Sequence, residues 1–142
     1  MRIIDADILS YGLLENHITT QYTKPIIEKG IKGEMKLYVT ITTLLEAYNT
    51  LYWHYKIRPR IMVTRKIRLV ADSLILIPPS SDGFKICIDE DIPLGDAILI
   101  ATALENKIPI IVSNDEHIER LIGKYGLIYE NPIPKEVRLR MK

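Results

Sequence analysis

Residues 94–115 read LGDAILIATALENKIPIIVSND and contain the clearest pattern in the chain. The part from Ala97 to Leu104 is apolar nearly all the way round, which predicts a helix buried between a sheet and other helices. Ile108 to Val112 is β-branched except for Pro109 near its start, as expected of a parallel strand that is covered on both faces. A buried helix followed closely by a buried strand indicates an α/β fold.

The same alternation of short apolar runs and longer helical patterns extends along the rest of the chain. Strands are predicted at Arg2 to Asp5, Leu37 to Thr40, Leu74 to Ile77 and Gly126 to Tyr129, and helices at Ile8 to Lys32, Ile41 to Tyr55, Ile61 to Ala71 and Ser113 to Ile122. Residues 82–91 fit either a strand or a short helix capped by Ser81 or Asp82, and a basic, peripheral tail is expected after Pro132. The expected fold is one α/β domain over residues 1–142, with a mainly parallel sheet of about four to five strands flanked by helices.

Composition is that of one globular domain and excludes several classes of protein. The chain has 142 residues, 47% of them apolar and 26% charged, so it is neither disordered nor of low complexity. Its single cysteine, Cys87, excludes an internal disulfide, and no Cys/His set has zinc-ligand spacing. A net charge of +1 means that a nucleic acid would have to be held by a local basic patch. The absence of a long apolar run and of a signal-peptide pattern predicts a cytoplasmic protein with no membrane partner.

Three carboxylates are expected at one edge of the predicted sheet, where ligands bind in parallel α/β folds. Asp5 ends the first apolar run, Asp96 lies in the opening turn of the buried helix, and Asp115 follows the strand that ends at Val112. Each of these acids is also a plausible helix cap, and Asp115 lies inside the capping-box pattern Ser113-x-x-Glu116. Asp5 is the hardest to explain as a cap, because it interrupts a buried strand.

Two further acids and one histidine give weaker signals. The helix from Ile41 to Tyr55 is expected to bury a stripe formed by Ile41, Leu44, Leu45, Tyr48, Leu51, Tyr52 and Tyr55. Glu46 lies away from this stripe, beside Trp53, which is the position of an exposed residue. Asp7 fits an ordinary helix cap, and His117 is interpreted as a surface residue of a first helical turn rather than as a general base.

Four stretches occur in the order found in a known family. They are RIIDADIL at residues 2–9, TTLLEA at 42–47, LGDAILIATAL at 94–104 and PIIVSND at 109–115. With these stretches the chain resembles the PIN-domain nucleases and, within them, the small VapC-type toxins. The third and fourth stretches are the most specific, and together the four are spread over nearly the whole chain. The resemblance implies a three-layer PIN-like fold.

The resemblance also implies a set of functional residues. The metal-binding acids are expected to be Asp5, Glu46, Asp96 and Asp115, with the hydroxyl of Ser113 supporting the site. Asp7 stands where many relatives have Ser, Thr or Asn, and it is either a fifth ligand or a helix cap. Residues 79–94 look shorter and less helical than the matching part of the family. Converging carboxylates require a cation, and an all-oxygen ligand set favours Mg²⁺ or Mn²⁺ over Zn²⁺.

The implied activity is that of a metal-dependent endoribonuclease, the toxin of a VapBC-type toxin–antitoxin pair. By the same resemblance we expect a small antitoxin that blocks the acidic pocket, and a homodimer. For the RNA substrate, the chain offers six basic residues and no acid between Lys56 and Arg68. The residues expected to bind RNA are Arg58, Arg60, Arg65 and Lys66, with Trp53 available to stack on an unpaired base.

Two alternatives remain open at the level of sequence. Asp5-Ala6-Asp7 is compatible with a phosphatase of the haloacid dehalogenase type that uses Asp5 as its nucleophile. That class needs a further acid one helical turn beyond a Gly-Asp pair, and Gly95-Asp96 is followed by no acid before Glu105. The second alternative is a PIN-fold module that binds RNA or a protein without cutting. Intact acids at all four positions are evidence against it.

Overall fold

A computed structural model describes residues 1–141, which form one five-stranded sheet with helices packed on both faces. The strands are β1 Arg2–Ile4, β2 Leu37–Thr40, β3 Ile75–Ile77, β4 Ile110–Val112 and β5 Ile128–Glu130. Their order in the sheet is β3-β2-β1-β4-β5, and every neighbouring pair is parallel. The expected α/β architecture with a parallel central sheet is confirmed.

Eight α-helices cover the sheet within residues 1–141. They are α1 Ala6–Leu13, α2 Thr20–Ile31, α3 Ile41–Asn49, α4 Arg60–Ser73, α5 Gly83–Glu90, α6 Leu94–Glu105, α7 Glu116–Leu121 and α8 Lys135–Arg140. A π-helical turn, Thr50–His54, continues α3, and a 3₁₀ turn, Ile122–Tyr125, continues α7. Among these helices, none has both the length and the apolar character to span a membrane.

Alternate residues of the strands face two separate cores, which makes the fold three-layered. Ile4 and Val112 point into the core formed with α1–α4 and α8, whereas Ile3 and Ile111 point into the core formed with α5–α7. All four side chains have no exposed surface. Because β1 and β4 are buried on both faces, their sequences are continuously apolar rather than alternating.

The strand order places a topological switch between β1 and β4. The chain leaves β1 towards β2 and β3 on one side, and β4 is followed by β5 on the other. In such sheets the connections diverge beyond the carboxyl ends of the two central strands and leave a crevice there. Asp5 and Ser113 are the first residues after β1 and β4, so both lie at this crevice.

Several local predictions are corrected by the structure. The helix predicted from Ile8 to Lys32 is two helices, α1 and α2, because the chain turns after Leu13 and α2 packs back against α1. Gly12 permits this contact, since a Cβ at that position would lie only 2.2 Å from Cδ1 of Ile27. The tail after Pro132 is not peripheral, because Ile133 and Val137 are buried in the core.

The structure also decides the open segment 82–91 and changes the predicted buried face of α3. Residues 82–91 contain the helix α5 rather than a strand, and α5 packs on α6. In α3, Ile41 and Leu45 are exposed although both belong to the predicted apolar stripe. The helix buries Thr43, Leu44 and Ala47, and the π-helical turn that continues it buries Leu51. The buried face of α3 is therefore narrower than predicted, and it includes the small residues Thr43 and Ala47 in place of Ile41 and Leu45.

Candidate active site

A cavity of about 440 Å³ opens at the crevice beyond β1 and β4. Its walls are formed by Asp5, Ala6, Asp7, Ser10, Tyr11, Glu46, Thr50, His54, Tyr55, Asp96 and Asp115. The structure thus brings together the four acids that the family resemblance singles out, from four different parts of the chain. Asp7, the possible fifth ligand, lines the same cavity.

Asp5 is held in place by the ends of both central strands. Its backbone N–H donates to the carbonyl of Val112 at 2.9 Å, and its carboxylate accepts from the N–H of Ala6 at 2.7 Å. The hydroxyl of Ser113 donates to Oδ2 of Asp5 at 2.7 Å. Burial raises the pKa of Asp5 to about 6, against the hydrogen bonds from Ser113 and Ala6, which lower it. The position is therefore costly for a carboxylate unless a cation is nearby.

Asp115 is oriented by the same serine. The hydroxyl of Ser113 accepts from the N–H of Asp115 at 2.9 Å, and Asp115 is the N-cap of α7, accepting from the N–H of His117 at 2.7 Å. The cap predicted at Asp115 is therefore confirmed, and the hydroxyl of Ser113 bonds Asp5 and Asp115 instead of capping α7 itself. Ser113 itself is fully buried.

Asp96 has the most unsatisfied environment of the four acids. It lies in the first turn of α6, and its side chain is 13% exposed. Its Oδ2 atom is buried and has no hydrogen-bond partner within residues 1–141. Burial raises the pKa of Asp96 to about 7, followed by the negative charges of Asp115, Asp5 and Glu46. A buried carboxylate oxygen without a partner needs a physical explanation, and a cation supplies one.

Glu46 reaches the cavity although its residue as a whole is exposed on α3. Its carboxylate lies against Gly95, where a Cβ would come within 2.9 Å of Oε1 of Glu46. Burial, and then the charge of Asp5, raise the pKa of Glu46. The helical pattern predicts Glu46 on the outer side of α3, and it lies there. Because α3 packs beside α6, that side of α3 also faces the other acids.

Asp7 uses both of its carboxylate oxygens on backbone donors. It accepts from the N–H of Ile8 at 2.6 Å and from the N–H of Asn114 at 3.0 Å, so it links α1 to the end of β4. Burial, followed by the charge of Asp5, raises the pKa of Asp7 well above its ordinary value. The helix-cap prediction for Asp7 is wrong, because the N-cap of α1 is Asp5 and Asp7 lies in the first turn of that helix. Asp7 also forms part of the cavity wall.

Sequence reasoning missed several neighbours of the acids. Tyr55 was assigned to the core stripe, yet it lines the cavity, as do Tyr11 and His54. His117 lies in the first turn of α7 with 44% of its side chain exposed, as predicted, but its Nδ1 also lies 3.1 Å from Oδ1 of Asp115 and 3.6 Å from Oδ2 of Asp96. The spacing of His117, two residues after Asp115 on the first turn of a helix, was the available signal for this contact.

The residues expected to bind RNA lie along the π-helical turn, the loop after it, which contains Arg58, and α4. The guanidinium of Arg58 stacks 3.7 Å from the ring centre of Tyr52, and that of Arg60 lies 4.7 Å from the same ring. Trp53 is 63% exposed and meets the edge of Tyr52. Of the remaining two cations, Arg65 is exposed, whereas the ammonium of Lys66 is half-buried and donates to the carbonyl of Leu13.

The donor set suits a divalent cation. Asp5, Glu46, Asp96 and Asp115 offer carboxylate oxygens around one cavity, and three of them have a raised pKa caused first by burial. The ligand atoms of Asp96, Asp115 and His117 also lie within 4.8 Å of one another, a spacing that one ion can bridge. Such an arrangement can bind a metal ion and, through it, a phosphate group.

Comparison with known proteins identifies the family. The model of the PIN domain family matches residues 2–124. No curated protein sequence matches the chain. Among solved structures, PAE2754 from Pyrobaculum aerophilum is similar with a TM-score of 0.64 and 19% identity, covering 99% of this chain and 97% of that one. A chain in the structure of VapBC2 from Rickettsia felis, bound to a DNA fragment from their promoter, has a TM-score of 0.65 and 16% identity, covering 92% and 97%. At these identities the likeness is one of fold, and the matching family model shows that the chain belongs to the PIN domain family.

Proposed function

We propose that this protein is a metal-dependent endoribonuclease that hydrolyses phosphodiester bonds in RNA. The observation that carries the proposal is the convergence of Asp5, Glu46, Asp96 and Asp115 on one cavity at the switch point of a PIN fold. Acids from four separate segments would not gather in a partly buried cavity for stability, because their mutual repulsion and desolvation oppose folding.

Asp5, Glu46, Asp96 and Asp115 would hold Mg²⁺ or Mn²⁺ in this cavity. When bound, such an ion would neutralise charge on the phosphate and lower the pKa of the water that attacks it. The unpartnered Oδ2 of Asp96 and the raised pKa values of Asp5 and Asp96 are the features that fit this cation. By family resemblance the products would carry a 5′-phosphate and a 3′-hydroxyl.

The chain's own residues contribute orientation and charge. Ser113 fixes the carboxylate of Asp5 and the backbone of Asp115 relative to each other, so two ligands share one support. Asp7 anchors α1 to Asn114 beside that support. Because these contacts exist within the folded protein, the acids need little reorganisation before the phosphate arrives, which is the main requirement for electrostatic catalysis.

RNA would be bound along the surface formed by Arg58, Arg60, Arg65, Lys66 and Trp53. Arg58 and Arg60 stack on Tyr52, which orders their guanidinium groups next to the exposed indole of Trp53. Ordered arginines can contact phosphates while an exposed aromatic ring stacks on a base. Lys66 is the least available of the five, since its ammonium already bonds Leu13.

The protein would act as the toxin of a VapBC-type pair and form a homodimer. The fold likeness to a chain of the Rickettsia felis VapBC2 structure supports the toxin assignment. For a dimer, α5 offers Phe84, 59% exposed, and Ile88, 80% exposed. Light scattering on the purified chain should give twice the monomer mass, and Ile88→Asp should reduce it. Natively expressed protein should copurify with a small antitoxin, and purification of the chain alone would contradict the pairing.

The two alternative functions have less support. The phosphatase alternative depends on Asp5-Ala6-Asp7, and that stretch lies within the residues that match the PIN domain family. A non-cleaving module would have the same fold, but it would give the four acids of the cavity no function.

Cleavage of RNA by the purified protein tests the proposal. We expect cleavage with Mg²⁺ or Mn²⁺, none with excess chelator, and a loss of about 100-fold or more in Asp96→Asn, the size usual for removing a group that stabilises transition-state charge. Glu105→Gln is the matched control, because Glu105 is an exposed acid at the other end of the same helix. Activity that survives the chelator or Asp96→Asn would come from a contaminant and would refute the assignment.

A further inference from the structure

We propose that His117 is a metal ligand which, together with Asp96 and Asp115, makes the site prefer a transition-metal dication such as Mn²⁺ over Mg²⁺. The inference rests on the proposed function, because it concerns the same metal centre. It changes the ligand chemistry from oxygen alone to oxygen plus one imidazole nitrogen.

The geometry of the three side chains is the first argument. Nδ1 of His117 lies 3.1 Å from Oδ1 of Asp115, within hydrogen-bond distance, and 3.6 Å from Oδ2 of Asp96. A shared metal ion would take the place of that hydrogen bond. One ligand atom from each residue can be chosen so that all three lie within 4.8 Å of one another. Two ligands on one ion of usual bond lengths are separated by distances of this order, so small side-chain movements suffice for shared coordination.

The Oδ2 atom of Asp96 also supports a shared ion. Oδ2 of Asp96 is buried and makes no hydrogen bond to any residue of the described chain, 1–141. The imidazole nitrogen faces this oxygen at 3.6 Å, which is beyond hydrogen-bond distance. An ion held between these two atoms would give this oxygen a partner.

The position of the histidine is fixed by the backbone. Its N–H donates to Oδ1 of Asp115 at 2.7 Å, because Asp115 caps α7 and His117 lies in the first turn. The ring is 44% exposed, so an ion can reach it from solvent. His117 is not part of the cavity wall, and this places the proposed three-residue site at the edge of the cavity, next to Asp96 and Asp115.

The nitrogen sets the metal preference. Mg²⁺ is a hard ion that prefers oxygen ligands and retains its waters, whereas imidazole binds transition-metal ions well. An imidazole beside two carboxylates should therefore increase the affinity for Mn²⁺ much more than that for Mg²⁺. The all-oxygen set inferred from the sequence would discriminate less between the two ions.

Metal binding by the RNA-free protein tests the proposal without relying on activity. Titration calorimetry on the whole chain would measure the affinities for Mn²⁺ and Mg²⁺ in the native protein, in His117→Gln and in His17→Gln. His17, rather than His54, is the matched control, since it is a histidine outside the cavity wall whose Nδ1 pairs with the hydroxyl of Thr19. Pulsed electron paramagnetic resonance on the Mn²⁺-loaded samples would detect coupling to an imidazole nitrogen.

We expect His117→Gln to lose about tenfold or more in Mn²⁺ affinity and the nitrogen coupling, while its Mg²⁺ affinity stays within about twofold. His17→Gln should keep both the Mn²⁺ affinity and the nitrogen coupling. If the native protein binds both metals without nitrogen coupling, or if His117→Gln weakens both equally, His117 only orients Asp115 and the inference is wrong while the nuclease proposal stands. If the native protein binds neither metal, both fail.

Discussion

The hydroxyl of Ser113 donates a 2.7 Å hydrogen bond to the carboxylate of Asp5, and so joins the carboxyl ends of the two central strands. The same hydroxyl accepts the N–H of Asp115 at 2.9 Å. One small, fully buried side chain therefore sets the relative positions of two of the four acids. A hydroxyl can do this because it donates and accepts at once.

Ser113→Ala should weaken both stability and the acidic site. Loss of the buried hydroxyl leaves the N–H of Asp115 without its partner and should lower the free energy of unfolding by about 1–3 kcal/mol. The hydrogen bond from Ser113 lowers the pKa of Asp5, so its removal should raise that pKa further and move the acid limb of the pH–rate profile to higher pH. Denaturant unfolding and a pH–rate profile measure the two effects.

Ser80→Ala is the control for this substitution, because Ser80 is also buried and its hydroxyl also accepts a backbone N–H, that of Asp82. It should cost stability without moving the pH–rate profile. An unshifted profile in Ser113→Ala would show that Ser113 does not tune Asp5.

Gly95→Ala should reduce activity with little effect on stability. The new Cβ would lie 2.9 Å from Oε1 and 3.1 Å from Oε2 of Glu46, so the carboxylate must move. Moving the end of a flexible, exposed side chain costs the fold little, but it removes a metal ligand from its place. We expect cleavage to fall by about tenfold or more at an almost unchanged Tm.

Gly123→Ala is the comparison for that result, because a Cβ at Gly123 meets nothing within 4 Å. It should leave cleavage unchanged. Equal activities in the two glycine variants would mean that the position of Glu46 beside Gly95 has no importance for the reaction.

The metal-free protein should become less stable as the pH rises from about 4 to about 7. Asp5 and Asp96 have folded pKa values of about 6 and about 7, above the value of 3.8 that applies when the chain is unfolded. In this pH range the folded state binds more protons than the unfolded state, so the free energy of unfolding falls with pH and levels off above about 7. Thermal melts in chelator across this range would measure the slope.

Asp96→Asn should flatten that pH dependence, since the amide carries no charge at any of these pH values. At pH 8 in chelator the variant should be more stable than the native protein by up to about 4 kcal/mol, the free energy that corresponds to a pKa raised from 3.8 to about 7. Adding Mn²⁺ should stabilise the native protein more than the variant. A native protein whose metal-free stability increases between pH 4 and pH 7 would contradict the raised pKa values.

Trp53→Ala should weaken RNA binding. The indole is 63% exposed beside the Arg58–Tyr52 stack, and loss of a base-stacking ring costs about 1–3 kcal/mol. Binding of single-stranded RNA, measured in chelator to prevent cleavage, should weaken accordingly while the salt dependence stays the same. Trp53→Phe should retain most of the affinity, and unchanged affinity in Trp53→Ala would remove Trp53 from the RNA surface.

The positions of Asp5, Asp96 and Asp115 in the fold follow from sequence pattern, because strand ends and first helical turns are local features. The parallel sheet was predictable for the same reason, from the continuous apolar run at Ile108 to Val112. Glu46 is different. Its local pattern indicates an exposed residue, and only the packing of α3 beside Gly95 of α6 brings its carboxylate to the cavity.

The remaining errors also come from tertiary packing. Ile41 and Leu45 fit the helical stripe of α3, but the face that meets the core carries Leu44 and Ala47. The C-terminal tail is basic in composition, yet Val137 is 2% exposed because one face of α8 packs on the core. Neither outcome can be derived from periodicity within one segment, because both depend on which neighbouring element is available to cover it.

Anomalous diffraction from crystals grown with Mn²⁺ would test most directly whether the four acids form a metal centre. We expect an anomalous peak in direct contact with the carboxylate of Asp96 and with at least one of Asp5, Glu46 and Asp115. A cavity without a peak at saturating Mn²⁺, or an ion bound only elsewhere on the protein, would contradict it.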